Sequence, residues 1–146
     1  MKSYSKQWSE ARDIAKIAHA GQKDKSGCEY FGHVSRVASR FGRHINAIVG
    51  LLHDVIEDSD WTLDQLCTQG FDTEVVEAVE ALTRRKGEEY MAYIERCSGN
   101  PHAIHVKIAD LEDNMDILRL PEITDKDVAR LRKYHKAYLY LKSKTK

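Results

Sequence analysis

Residues 46–56 read Asn46-Ala-Ile-Val-Gly-Leu-Leu-His53-Asp54-Val-Ile56. The run is nearly all apolar, is too long for a typical strand and lacks strict alternation. It therefore predicts a central buried helix. A histidine and an aspartate, His53 and Asp54, interrupt it side by side. Burying a carboxylate without a partner is expensive, so something must neutralise Asp54. A salt bridge or a metal cation would each do so.

The segments on either side also read as helices. Trp8, Ala11, Ile14, Ala15, Ala18 and His19 recur at helical spacing and predict a first helix from about Ser5 to Ala20. A polar loop, Gly21 to Gly27, follows. Val34, Val37, Ala38 and Phe41 predict a second helix over Tyr30 to Phe41, ended by Gly42. Beyond the central run, Thr62-Leu-Asp-Gln65 is a capping box opening a short helix that Gly70 closes. Asp72 or Thr73 caps the next, which carries Val75, Val76, Val79 and Leu82. Another helix spans Glu88 to Cys97. Asn100 and Pro101 start one that runs to about Leu118. Thr124 and Asp127 open the last, with Val128, Leu131, Tyr134, Tyr138 and Leu141 along its stripe. Strand signals are almost absent. The expectation is an all-α domain of about seven or eight helices.

The 146 residues predict one domain, 1–146, large enough to bury a core without disulfides or structural zinc. Lys plus Arg is 23 and Asp plus Glu is 23, so there is no basic excess to suggest nucleic acid as a partner. No run of ~18 apolar residues is present, which excludes a helical membrane span. The start, Met-Lys-Ser-Tyr-Ser-Lys-Gln-Trp, has no apolar signal region, so the expected address is cytoplasmic. Cys28, Cys67 and Cys97 form no C-x-x-C motif and are expected to be reduced, mostly packed as small hydrophobes.

A second acid, Asp110, interrupts another apolar stretch, Lys107-Ile-Ala-Asp110, and Asn114 lies four residues on along the same face. His33 stands near the start of the second helix. His33, His53, Asp54 and Asp110 supply two imidazoles and two carboxylates. That mixture suits Mn²⁺, Fe²⁺ or Zn²⁺ and leaves positions open for water and substrate. A buried salt-bridge network is the other reading of the same four. Glu57 lies four residues after His53 and three after Asp54, so it projects to the same side. An acid there is placed to orient or deprotonate a metal-bound water. His19, His44, His102, His105 and His135 are expected to be structural or solvated. Lys107 either pairs with a neighbouring acid or touches phosphate. Arg84, Arg85 and Lys86 form a basic turn that is either solvated or serves a phosphate tail.

Three blocks in order carry a longer pattern: His19-Ala-Gly-Gln22-Lys-Asp-Lys25-Ser-Gly27-Cys-Glu-Tyr30-Phe-Gly-His33, Leu52-His53-Asp54-Val-Ile-Glu57-Asp58, and Lys107-Ile-Ala-Asp110-Leu-Glu-Asp-Asn114. The split His…His-Asp…Asp resembles the HD superfamily of metal-dependent phosphohydrolases. The blocks together resemble the hydrolase domain of Rel/Spo-type (p)ppGpp enzymes, most of all the short stand-alone hydrolases, over about Ser5 to Leu141. The resemblance implies an HD-type helical fold, with His33, His53, Asp54 and Asp110 as ligands of Mn²⁺ or another divalent transition metal. Glu57 and Asp58 match the acidic pair that positions the attacking water. Asn114 matches a contact to the nucleotide sugar, Lys25 a basic residue of the nucleotide-binding loop, and Tyr134 a nucleotide-contacting tyrosine. For Asn114, Lys25 and Tyr134 the blander alternatives are a polar helix surface, a solvated loop and the core.

The implied reaction removes pyrophosphate from the ribose 3′ position of (p)ppGpp, giving GDP or GTP, as in the stringent response. Some members of the family instead take the 2′ phosphate from NADPH. The loop departs from the family's Gln-x-Arg-Lys: here it is Gln22-Lys23-Asp24-Lys25, without the arginine that packs on guanine, a role Lys23 would partly fill. Glu29-Tyr30 and His33-Val34 replace the usual Pro-Tyr and His-Pro. No synthetase or regulatory domain is expected. The expected partner is a small nucleotide, with self-association through exposed Tyr138 and Tyr140 as a further expectation. The rival readings are a phosphohydrolase of another nucleotide or NADPH, and a nucleotide-sensing module without turnover.

Overall fold

Helix follows helix along the chain. In the computed structural model, which describes residues 2–145, the elements are α1 (Tyr4–Ala18), α2 (Phe31–Ser39), α3 (Ile45–Leu52), α4 (Val55–Asp58), α5 (Leu63–Thr68), α6 (Thr73–Ala81), α7 (Tyr90–Ser98), α8 (Ala103–Asn114), a 3-10 turn (Ile117–Arg119) and α9 (Asp125–Ser143). Among the described residues there is no strand, only an isolated antiparallel bridge between Lys23 and Glu29. The all-α expectation holds. No described helix is long and apolar enough to cross a membrane.

Local chemistry explains most of the boundaries. Ser3 caps α1 by accepting from the Lys6 amide. The two expected capping boxes are formed, Thr62 with Gln65 on α5 and Thr124 with Asp127 on α9. Glu89 caps α7 by accepting from the Met91 and Ala92 amides, so that helix starts at Tyr90 rather than Glu88. Asn100 Oδ1 accepts from the amides of His102 and Ala103 at 2.9 Å each and opens α8. Asp72 precedes α6 without a side-chain cap bond. The helix expected to reach Leu118 ends at Asn114, and the chain resumes as the separate 3-10 turn.

The core gathers around α3, every residue of which from Asn46 to Leu52 is buried. It packs on α1, α2, α6 and α8. A Cβ built on Gly50 would stand 3.1 Å from the Ala38 Cα, so a side chain there would press on the backbone of α2 at its contact with α3. Leu52 and Leu111 are fully buried; truncating such a leucine costs about 2–5 kcal/mol. One polar side chain joins the core where the pattern predicts none. Gln7 is buried, donates to the Lys2 carbonyl at 3.0 Å and accepts from the Asp72 amide at 3.0 Å. That pair of bonds meets the cost of burying the amide and ties α1 to the start of α6.

Three expectations are corrected. The central helix is two helices, α3 and α4, broken at His53 and Asp54. Only Cys97 is packed as a small hydrophobe; Cys28 and Cys67 are exposed, and all three are free thiols. Tyr138 and Tyr140 are not exposed but half-buried against the core, while Leu139 between them points outward.

Candidate metal centre and adjoining cavity

The break in the central apolar run builds the site. Neighbouring residues of a continuous helix point in different directions. Here α3 stops at Leu52, and Asp54, at φ −106° and ψ −1°, starts α4. His53 and Asp54 can therefore converge, with His53 Nε2 at 3.1 Å from Asp54 Oδ2. The end of a helix leaves carbonyls without partners. His53 Nδ1–H donates to one of them, that of Gly50, at 2.6 Å. This bond caps α3, and it leaves the lone pair of the ring on Nε2, facing Asp54 and Asp110.

The other two members arrive from α2 and α8. His33 Nε2 lies 2.8 Å from Asp110 Oδ1 and 3.7 Å from Asp54 Oδ2, and His53 Nε2 lies 3.3 Å from Asp110 Oδ1. One ligand atom from each of His33, His53, Asp54 and Asp110 falls within 4.8 Å of all the others. Metal–ligand bonds of about 2.0–2.2 Å around a single ion place its ligands roughly 3–4 Å apart, so the four residues fit one divalent ion. Each is held by a further partner. His33 Nδ1–H donates to Asp113 Oδ2 at 2.6 Å, and the Tyr30 hydroxyl donates to Asp54 Oδ2 at 2.6 Å. Lys107 Nζ donates to Asp110 Oδ2 at 2.7 Å and Asn114 Nδ2 to Asp110 Oδ1 at 3.1 Å.

The charges follow from these contacts. Burial alone would depress both imidazoles. For His53 the Asp54 and Asp110 carboxylates more than offset burial, and for His33 the hydrogen bonds to Asp110 and Asp113 do so, so both rings sit above the ordinary histidine value. Burial would raise Asp110, yet Lys107 and the two imidazoles hold it well below the carboxylate range; His53 does the same for Asp54. Glu57 and Asp58, in α4 beside the cluster, move the opposite way. Partial desolvation and the nearby Asp54 charge raise both carboxyls. Glu57 also accepts from the Arg84 amide, and the Asp58 carbonyl accepts from Gln22 Nε2 at 2.8 Å.

A cavity of about 400 Å³ opens next to the cluster, with His33 in its wall. All four residues expected to touch a nucleotide, Lys23, Lys25, Asn114 and Tyr134, line it. Lys23 and Lys25 make no side-chain hydrogen bond or ion pair among the described residues. Asn114 lies between cavity and cluster, since its amide also holds Asp110. Asp24, in place of the expected arginine, is engaged within its own loop. Its Oδ1 accepts from the Ser26 amide, the Ser26 hydroxyl and the Cys28 amide at 2.7–3.0 Å, an Asx-type turn that sets the loop's shape.

Lys107 takes its ion-pair alternative, with Asp110. Arg84 sits with its guanidinium carbon 5.4 Å from the Tyr90 ring centre. Of the remaining histidines, His44 caps α3 by accepting from the Asn46 amide, His102 bridges Asn46 and Glu74, His19 is buried against Tyr30, and His105 and His135 are exposed. Sequence reasoning missed Tyr30, Asp113 and the cavity arginines Arg36, Arg119 and Arg130. Asp113 had a signal, three residues after Asp110 on an apolar helix. Long cations are too common on surfaces for the arginines to stand out.

No protein-family model matches the chain. It is 31% identical over 120 residues to a guanosine-3′,5′-bis(diphosphate) 3′-pyrophosphohydrolase of Aquifex aeolicus, covering 74% of this chain and 17% of that protein. It is 32% identical over 120 residues to the like-named protein of Haemophilus influenzae, covering 72% and 18%. A probable GTP pyrophosphokinase of Mycobacterium leprae is 30% identical over 122 residues, covering 75% and 15%. The chain thus spans less than a fifth of the length of these relatives. A solved structure described as a metazoan ortholog of SpoT that hydrolyzes ppGpp and plays a role in starvation responses superposes with a TM-score of 0.77. It covers 97% of this chain and 88% of that one, at 22% identity. The chain shares the helical fold of that structure, and over about 120 residues it is similar to a part of proteins named for (p)ppGpp hydrolysis or synthesis.

Proposed function

We propose that the chain is a metal-dependent phosphohydrolase acting on (p)ppGpp, removing the 3′ pyrophosphate to leave GDP or GTP. The observation that carries this reading is the convergence of two Nε2 atoms and two carboxylates beside a cavity lined by unpaired lysines. The relatives named for the same reaction support the choice of substrate.

In this reading His33, His53, Asp54 and Asp110 hold Mn²⁺ or a similar divalent ion. Bound there, the ion supplies Lewis acidity and lowers the pKa of water. The protein's own groups do the rest. Glu57 and Asp58, with raised carboxyl pKa values, orient the attacking water and accept its proton. Lys23 and Lys25 meet the phosphate charge, and Tyr134 and Asn114 face the nucleoside. Asp24 lines the cavity too, with its Oδ1 bonded inside its own loop. The reading extends to a cytoplasmic location, with residues 1–146 as one catalytic domain and the nucleotide as its partner.

The test is release of pyrophosphate from ppGpp with Mn²⁺, run beside NADPH and nucleoside monophosphates. Pyrophosphate from ppGpp, lost in His53→Ala, supports the reading. Cleavage of NADPH or a monophosphate with ppGpp untouched replaces the substrate and keeps the enzyme class. Binding of ppGpp without turnover makes the chain a sensing module.

A further inference from the structure

The two imidazoles of the cluster are held by different kinds of partner. His53 Nδ1–H donates to a backbone carbonyl, that of Gly50, which no side-chain substitution can remove. His33 Nδ1–H donates to a carboxylate, that of Asp113, at 2.6 Å. Asp113 is itself buried and clamped from the cavity side. Arg36 Nε donates to its Oδ1 at 2.8 Å and Arg36 Nη2 to its Oδ2 at 3.2 Å. Arg119 Nη2 donates to its Oδ2 at 3.4 Å and to its main-chain carbonyl at 3.1 Å. A Cβ on Gly32 would stand 3.1 Å from Arg36 Nη1, so Gly32 leaves the room in which this guanidinium lies. Both arginines line the cavity.

We infer that Asp113 is a positioning residue for the metal centre, and that Arg36 and Arg119 hold it in place from the substrate cavity. Three properties follow from the geometry. Accepting from Nδ1–H leaves the His33 lone pair on Nε2, where the other three ligands converge. The carboxylate makes the ring a stronger donor than a neutral partner would. The arginines offset the charge of the buried Asp113 carboxylate, which would otherwise be costly to bury. They also make the cavity wall and His33 parts of one hydrogen-bonded unit.

The inference rests on the four residues being a metal centre, and it is tested on metal binding alone, without nucleotide. Mn²⁺ is titrated into the metal-free chain by calorimetry, for the natural sequence, Asp113→Asn and Arg36→Met, with the thermal midpoint of each recorded. Loss of such an outer partner typically weakens metal binding by about 10–100-fold. Asp113→Asn is expected to fall in that range and Arg36→Met, which leaves the carboxylate in place, to weaken binding less. With Zn²⁺ as a diamagnetic probe, nitrogen NMR is expected to show the His33 Nδ1 proton fixed in the natural chain and exchanging in Asp113→Asn. A lowered thermal midpoint with unchanged Mn²⁺ affinity would make Asp113 a mere cross-link between α2 and α8 and overturn the inference. If Asp113→Asn does not fold, Arg36→Met decides alone, and unchanged affinity there overturns it. A natural chain that takes up no Mn²⁺ overturns both this inference and the metal-centre reading. Uptake that ignores Asp113 overturns only this one.

Discussion

In the four-residue cluster nearly every side-chain nitrogen and oxygen has a partner within the protein; in the cavity beside it Lys23 and Lys25 have none among the described residues. The cluster is built from two helices and a break between two others, with His33 on α2, Asp110 on α8, and His53 and Asp54 between α3 and α4. The lysines stand on a loop held by an Asx turn at Asp24 and by backbone bonds such as those between Asp24 and Cys28 and between Tyr30 and Gln22. The difference is what the proposed metal site and the proposed nucleotide site would each require. Ligands must be fixed to a fraction of an ångström before the ion arrives. Groups that meet a charged substrate keep their hydrogen-bonding capacity for it.

The largest effects are expected in the cluster. His53→Ala and Asp54→Ala should each abolish Mn²⁺ uptake and turnover together, measured by metal analysis of the purified chain and by pyrophosphate release. Full activity in either variant would remove the cluster from the chemistry. Glu57→Gln separates water activation from metal binding. It should lower turnover by roughly 10²–10⁴-fold with Mn²⁺ still bound, and loss of the metal as well would make Glu57 part of the centre rather than its neighbour. In the cavity the effect should be on substrate affinity. Lys25→Ala removes a charged contact worth about 1.5–3 kcal/mol, and so should raise KM for ppGpp by about 10–100-fold with kcat little changed. A fall in kcat alone would place Lys25 at the reacting phosphate instead.

Two smaller effects probe the cluster without dismantling it. His33 and His53 hold their protons above the ordinary imidazole value in the metal-free chain. The stabilisation these charged rings give is complete below about pH 6.5, the unfolded value, and fades as pH rises through their raised folded values. Metal competes for the same nitrogens, so Mn²⁺ affinity should climb as pH rises above about 6.5, with release of protons. Affinity independent of pH by calorimetry would contradict the assignment of the two rings. Gly50→Ala pushes a methyl against the Ala38 backbone. It should cost about 1–3 kcal/mol, or about 2–4 °C of melting temperature for each of those kcal/mol. An unchanged melting temperature would mean that α2 and α3 have room to separate.

The same contrast governs how much was legible beforehand. His53, Asp54 and Asp110 stand out because a charged group inside an apolar helix needs a partner, and that need is written locally. The break between α3 and α4 was not legible, since nothing in Leu-Leu-His-Asp-Val-Ile breaks a helix by propensity; it follows from the tertiary demand that His53 and Asp54 face the same point. Tyr138 and Tyr140 were misplaced because a tyrosine on an amphipathic stripe packs its ring and keeps its hydroxyl near water. Arg36 depends on a contact with Asp113, 77 positions away, which periodicity along the chain does not record, whereas Arg119 and Arg130 pair with acids three to six residues before them.

The central claim is that His33, His53, Asp54 and Asp110 together bind one metal ion. Anomalous diffraction at the manganese edge, from crystals grown with Mn²⁺, tests it most directly. One strong peak is expected, bonded to His33 Nε2, His53 Nε2 and a carboxylate oxygen from each of Asp54 and Asp110. No peak there, or a single peak held instead by Glu57 and Asp58, would contradict it.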